Sequence, residues 1–595
     1  MVRLVTSDER IWGVRFSARL FLAWILFTCV AGGLVPGFAV LRPFQAAAQV
    51  LEDEETLPGP TGLFIKTAPP ARRLIAADVS GFTADLLLTL TSLQGVVNQT
   101  EPRIFLLDGG YSRTWVEWLK ERGDIDEIRY LSSVQAATLV GEFKDELNGQ
   151  VVVDPKIPAT LNLATMISGL DRLLITYPRY AETYAEWYDL PIVVDLRDRF
   201  TTNAEAYRWA LEHLWPRLNH HALAMLHPEV SHPRDFLIQQ KVWVWWLSGT
   251  VDGGSFANRF EELKVAFEVL QGSPVNIPVL GYPWHGDGVG PGEHGGVDLF
   301  SRYGKFLIPS DYARNLSVHA HARPPAPRAL ASLTGPGEAP SEFEGAPRAR
   351  LNSPNVDPER VYLTVVVSDG DNVQAWLNYF PRYFETPAGR TVPVAWTISP
   401  AALDLVPAVV DYVAARRLPG DAFLAAVSGI GYVYLDRYGA DTPDQEKTRG
   451  GFLRLTSDYM KRLGLTMIWP MVPDGPVKRD VLSLYAEGIP HLRAIFPDYG
   501  QKVVRYADAT YVLEAGGRRL PVFHAMGGDT PLHASIQRAL SGAPRPAFAH
   551  AFALNWNVSP ADLAALAGSL GDEYAIVSPD ALVELFWASQ SPPGH

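Results

Sequence analysis

Between residue 361 and the C-terminus at residue 595, short apolar runs recur, and most end in a polar or aromatic cluster. VYLTVVV leads into Ser368-Asp369-Gly370-Asp371-Asn372, VPVAWTI into Ser399-Pro400, AFLAAV into SGIGYVYLD, and LTMIW into PMVPD. LRAIF leads into PDYG, LPVFHA into MGGD, AFAHAFAL into NWN, and YAIV into SPD. Such runs are short and largely apolar, and read as buried parallel strands. Amphipathic stretches such as 443–463 and 560–570 fit between them as helices. Eight strands alternating with helices predict a (β/α)-barrel-like C-terminal domain over 361–595, complete or distorted. In that architecture the loops after the strands carry the chemistry, and the polar clusters stand there.

Upstream, residues 62–320 read as an N-terminal α/β domain. Strand-like runs lie at 103–107 (RIFLL), 151–153, 173–176 (LLIT), 192–195 and 241–247 (KVWVWWL), with helical periodicity at 80–97 and 203–218. Residues 321–360 hold many prolines and little periodicity, which predicts a linker or long surface loop. The first 48 residues follow another grammar. Arg3, Arg10, Arg15 and Arg19 precede an apolar run over 20–41, and Ala46, Ala47 and Ala48 follow it. This is the layout of a secretory signal cleaved after Ala48; the competing reading is an uncleaved membrane anchor. Either predicts export to the periplasm or beyond. With Arg42, five arginines against Asp8 and Glu9 give this segment +3, so a net charge of −13 leaves −16 on the remainder. An acidic chain without a basic stripe argues against a nucleic-acid partner. The single cysteine, Cys29, lies in the same segment, which excludes a disulfide scaffold and a Cys-ligated zinc site.

VSDGDNVQAWL (367–377), SGIGYVYLDRYG (428–439) and YAIVSPDALVELF (574–586) resemble the C-terminal domain of the GxGYxYP family. LTSLQGVVNQTEPRIFL (90–106) and the stretch over 279–318 resemble its N-terminal part. Members of that family are classed as glycoside hydrolases exported by bacteria. The resemblance implies a carbohydrate substrate and the same two-part layout. Leu435 departs from the motif, which has proline there, and this should alter the turn but not the tyrosines.

Glycoside hydrolysis needs one carboxylic acid to protonate the leaving oxygen and a second carboxylate as nucleophile or base. Asp369 and Asp371 are the first candidates, because two close carboxylates can divide into an acid and an anion. A capped turn or a calcium-loop fragment is the blander reading of Asp-Gly-Asp-Asn. Asp474, Asp498 and Asp529 also follow strand-like runs, and Glu293 could reach over from the N-terminal half. Asp529, Asn372, Asn555, Tyr432 and Tyr434 are candidates for holding sugar hydroxyls and ring faces. Trp376, Trp396, Trp469, Tyr499 and Trp556 would add an aromatic ring around the mouth, with core packing the alternative for each. His524 reads as a core histidine.

His285, Asp287, Glu293 and His294 cluster in WHGDGVGPGEH, but their spacing matches no standard zinc site. His213, His220 and His227 recur every seven residues and read as a surface stripe. No metal and no cofactor is therefore assigned. No G-x-S-x-G elbow, phosphate-binding loop or HExxH is present. Two other functions stay open: a non-catalytic glycan-binding or envelope-assembly protein, and a metal-dependent polysaccharide deacetylase. The latter lacks the His-x-x-x-His it would need.

Overall fold

In a computed structural model, residues 62–590 are described, except 249–255, 286–289, 334–354, 369–371, 386–389, 391, 473–477, 498–504 and 529. The proposed signal or anchor lies outside the described residues. No described helix is long and apolar enough to cross a membrane.

The N-terminal half carries three separate parallel sheets. β1 (Arg73–Asp78), β2 (Ile104–Leu107) and β3 (Glu127–Leu131) pair in the order β2-β1-β3. β4 (Gln150–Val152), β5 (Leu174–Thr176) and β6 (Ile192–Asp195) pair as β5-β4-β6. β7 (Asn219–Met225), β8 (Val242–Trp245), β9 (Ile277–Gly281) and β10 (Lys305–Pro309) pair as β10-β9-β7-β8. The helices Ala84–Val97 and Ala159–Asp171 are buried on almost every side, because both pack against the short helix Arg234–Gln240. Glycine permits the contact: a Cβ on Gly95 would stand 2.8 Å from Ile238 Cβ, and one on Gly169 2.7 Å from the Ile238 carbonyl oxygen.

The C-terminal half is one sheet. Its strands are β11 (Val361–Ser368), β12 (Ala395–Ile398), β13 (Ala422–Ala425), β14 (Met467–Ile468), β15 (Ala494–Ile495), β16 (Thr510–Ala515), β17 (Arg518–Phe523), β18 (Ala547–Leu554) and β19 (Tyr574–Ile576). The order runs β16-β17-β15-β14-β13-β12-β11-β18, with β19 also on β11, and every pairing is parallel except β16 with β17. The sheet curls into a half-barrel. Beyond β17, Ala525 forms a parallel bridge with His550 of β18. At its other end β11 is shared: β19 pairs with Val361–Leu363 and β12 only with Val366 and Val367. All eight runs predicted in this half are strands. β16 is an addition, turned onto β17 by Gly516-Gly517, both at positive φ as a tight hairpin turn requires.

The two halves are continuous. Leu307 of β10 and Tyr432 exchange backbone hydrogen bonds of 3.1 and 2.8 Å. Trp115 and Trp118 of the helix Ser112–Glu121 each donate an indole N–H at 2.8 Å, to the Leu377 and Ala408 carbonyls. The proline-rich stretch begins packed: the Ala326 N–H donates to Asp411, and Leu333 is buried.

Candidate functional site

The carboxyl end of β11 runs into Asp369-Gly370-Asp371, which lie outside the described residues, as do Asp474, Asp498, Asp529 and Tyr499. Their surroundings are described. The Thr397 hydroxyl donates to Ser368 Oγ at 2.8 Å, and the Asn555 N–H donates to the Ser368 carbonyl at 2.8 Å. Asn372 opens the helix Asn372–Asn378 and is buried, yet neither its amide oxygen nor its nitrogen has a partner among the described residues. The Asn555 amide nitrogen is in the same position, while its oxygen accepts from Arg382 at 3.1 Å. Buried amides are normally satisfied. Two such side chains near the carboxyl end of β11 therefore leave polar capacity unspent among the described residues.

A second constellation joins the halves. A Cβ on Gly431 would stand 2.5 Å from the Phe306 ring and 2.8 Å from the Leu307 carbonyl oxygen, so glycine lets the GIGYVYL segment close on β10. The bridge sets Tyr432, whose hydroxyl lies 2.9 Å from Glu293 Oε1 and 3.5 Å from the Tyr434 hydroxyl. The Tyr434 hydroxyl lies 2.6 Å from His294 Nδ1. Glu293 and His294 open the helix Glu293–Arg302, where a carboxylate is favoured. Burial first, and then the nearby Glu293 carboxylate, raise the Tyr432 pKa far above that of an ordinary phenol, so it stays a donor. Both tyrosines are buried. The structure thus brings Glu293, Tyr432 and Tyr434 together. It also divides the glycine-rich cluster: Glu293 and His294 go to the tyrosines, His285 goes to His227, and Asp287 lies outside the described residues.

The tryptophans part company. Trp396 is fully buried against Phe384 and Tyr383, with Trp376 beside it, so neither presents a ring face to solvent. Trp469 is buried and stacked on Phe552 at 5.1 Å. Trp556 is 48% exposed, its ring against Tyr379. His524 is buried, and burial lowers its pKa to about 4. The histidine stripe does not exist: His213 stacks on Trp209, His220 on Trp215, and His227 is buried beyond β7. The heptad spacing misleads because it crosses from a helix into a strand.

Sequence reasoning missed two acids. Asp108 directly follows β2, and its Oδ2 lies 3.1 Å from His232 Nε2 and 3.1 Å from Arg314 Nε. Burial opposes its ionisation, but the His232 bond and the Arg314 charge outweigh burial and hold the carboxyl below its usual range. Asp311 follows β10, is 5% exposed, and has no partner for Oδ1 among the described residues. Burial pushes its pKa up to about 7. Its neighbour Tyr312 donates its N–H to Gln374 of the helix after β11 at 2.8 Å. RIFLL-Asp and KFLIPS-Asp show the same strand-then-acid pattern that marked the C-terminal candidates, and that signal could have found both.

Four family models match the chain. "GxGYxYP putative glycoside hydrolase C-terminal domain" covers residues 359–586, and models of three successive N-terminal domains cover 74–145, 147–218 and 220–321. A solved structure described as "a putative hydrolase from Bacteroides thetaiotaomicron VPI-5482" superposes with a TM-score of 0.71 at 18% identity, over 89% of this chain and 98% of that one. At that identity it shows the fold. No curated protein matches the sequence.

Proposed function

The chain belongs to the GxGYxYP family, and on that footing we propose that it is an exported glycoside hydrolase acting on a poly- or oligosaccharide. The reading rests on one observation above the rest: Glu293, from the N-terminal half, is hydrogen-bonded to Tyr432 of the signature segment in the C-terminal half. A carboxylate fixed across the junction of two halves suits a cleft enzyme, in which binding surface and acid–base groups come from different elements.

In this reading Asp369 and Asp371 supply the carboxylate pair or one member of it, and Glu293, Asp474 or Asp498 supplies the other. One carboxyl protonates the glycosidic oxygen, and the second attacks the anomeric carbon or activates water. Asn372, Asn555 and Asp529 bond sugar hydroxyls, and Trp556 offers a ring face. Residues 1–48 direct export.

Purified protein incubated with bacterial and plant polysaccharides should release new reducing ends. The double variant Asp369→Asn, Asp371→Asn should lose about 10²–10⁴-fold of that activity while keeping its thermal transition. Equal release by variant and wild type would move the chemistry to Glu293, Asp474 or Asp498. Calorimetric sugar binding with no release from either protein would replace the hydrolase with a glycan-binding protein.

A further inference from the structure

In the sheet β10-β9-β7-β8, β7 pairs with β8 on one side and with β9 on the other. The chain direction across the sheet therefore reverses between β7 and β9. In open parallel sheets the loops diverge at such a point, and ligands bind outside the carboxyl ends of the two strands. Here the loop after β7 carries His227 and Glu229, and the loop after β9 carries His285.

These three side chains converge although 58 residues separate the two histidines in sequence. One ligand-type atom from each lies within 4.8 Å of the others. The two imidazole rings are 4.0 Å apart and 4° from parallel. His285 Nδ1 is buried without a hydrogen-bond partner among the described residues. His227 is buried with its ring edge-on to Trp246, at the end of β8, and Glu229 is exposed. Arg234 braces the same loop through the carbonyls of His227, Pro228 and Val230.

We propose that His227, Glu229 and His285 bind a divalent transition-metal ion, zinc foremost, in the crevice between the ends of β7 and β9. Two imidazoles and one carboxylate suit zinc, cobalt or nickel better than calcium or magnesium, which prefer all-oxygen shells. Three protein ligands leave a fourth position open to water or a substrate oxygen. The geometry also states what must move. An ion between two parallel rings lies out of both planes, so the His285 ring has to turn about χ2 to direct its nitrogen. The bond that His227 Nδ1 accepts from the Glu229 N–H is long, 3.3 Å, so little is lost if that nitrogen ligates.

This site is independent of the sugar reading and is tested without any sugar. Chelator-treated protein is dialysed against Zn²⁺ and, separately, Co²⁺. One equivalent of zinc per chain is expected, with a visible cobalt absorption of tetrahedral type and a rise in Tm on zinc addition. His285→Phe keeps a ring against His227 but offers no ligand, and Glu229→Gln alters an exposed group. Each should weaken zinc binding about tenfold or more and lose the zinc-dependent rise in Tm. His221→Ala, at an exposed histidine of β7, should bind as the wild type does. If His285→Phe does not fold, Glu229→Gln decides. Substoichiometric zinc on the wild type, or full zinc retention by folded Glu229→Gln and His285→Phe, overturns the site.

Discussion

The N-terminal and C-terminal halves bury parallel strands in opposite ways. The first divides ten strands among three small sheets and joins them through helices that are buried nearly all round. The second keeps one continuous sheet and curls it until its margins bridge at Ala525 and His550. Two buried arginines show a contrast of their own. In the N-terminal half, Arg234 is fully buried, and its hydrogen bonds go to neutral groups: the Val230, His227 and Pro228 carbonyls, Thr165 Oγ1 and Asn162 Oδ1. In the C-terminal half, Arg390 forms a two-pronged pair with buried Asp421, at 2.6 and 2.7 Å. Arg234 is neutralised by dipoles from a loop and from the helix Ala159–Asp171, Arg390 by the opposite charge of Asp421.

Removal of either cation tests that contrast. Arg390→Met takes away the cation that pairs with buried Asp421, leaving its carboxylate the Val394 and Leu418 N–H groups at 3.0 Å and the charge of Arg417, whose guanidinium bonds the Asp421 carbonyl at 3.0 Å. The expected loss in urea unfolding is about 3–5 kcal/mol. Arg234→Met strands only neutral acceptors, so the loss should be smaller, about 2 kcal/mol. It should also loosen the loop that carries His227 and Glu229, and amide exchange there should rise more than in the C-terminal sheet. Equal losses from both substitutions would end the distinction between dipole and ion-pair neutralisation.

The same contrast governs what could be read from the sequence. The C-terminal strands were legible because each is an apolar run closed by a polar cluster, and a buried parallel strand has no other pattern to show. β16 was not, because TYVLEA mixes exposed and buried positions at a sheet margin, although Gly-Gly after it marks the hairpin. Glu293 could be named as a candidate from its place in a glycine-rich loop. Its partner could not, because the bond to Tyr432 depends on the β10 bridge and on how closely Gly431 lets the chains approach. The Asp108, His232 and Arg314 contact joins residues more than a hundred positions apart, each ordinary in its own segment. Trp376 and Trp396 show the converse: position after or within a strand suggested subsites, and the aromatic packing around them makes them core.

Asp311 sharpens the comparison at the seam between the halves. Its folded pKa, pushed by burial to about 7, lies above the ordinary 3.8. Below about pH 4 both folded and unfolded chains hold the proton. As pH rises from about 4 to 7 the unfolded carboxyl ionises first, so stability falls through that window and levels off above it. Asp311→Asn removes the titration. Between pH 4 and pH 8 the variant should gain on the wild type by up to about 4 kcal/mol, about three pKa units at 1.36 kcal/mol each, while the cost of burying the amide is the same at every pH. A wild-type-minus-variant difference that stays flat with pH would show that Asp311 is hydrated and ionised in the fold.

The smallest expected effect on stability separates the two kinds of tryptophan. Trp396 is fully buried among Tyr383, Phe384 and Phe380, so Trp396→Ala should cost about 3–5 kcal/mol. Trp556 is 48% exposed and meets Tyr379 in a T-shaped contact, so Trp556→Ala should change stability by about 0.5 kcal/mol or less. Sugar binding should order them the other way. Trp556 follows Asn555, whose N–H is bonded to the carbonyl of Ser368, the last residue of β11, and this places it beside the strand end where the proposed carboxylates follow. Loss of one stacking contact of about 1 kcal/mol weakens an oligosaccharide roughly fivefold. Folded Trp396 variants, Trp396→Phe first, should bind sugar as the wild type does. If Trp556→Ala left affinity unchanged while Trp396→Phe lowered it, the sugar would have to enter where Trp396 now packs, and the aromatic core of the half-barrel would have to open to admit it.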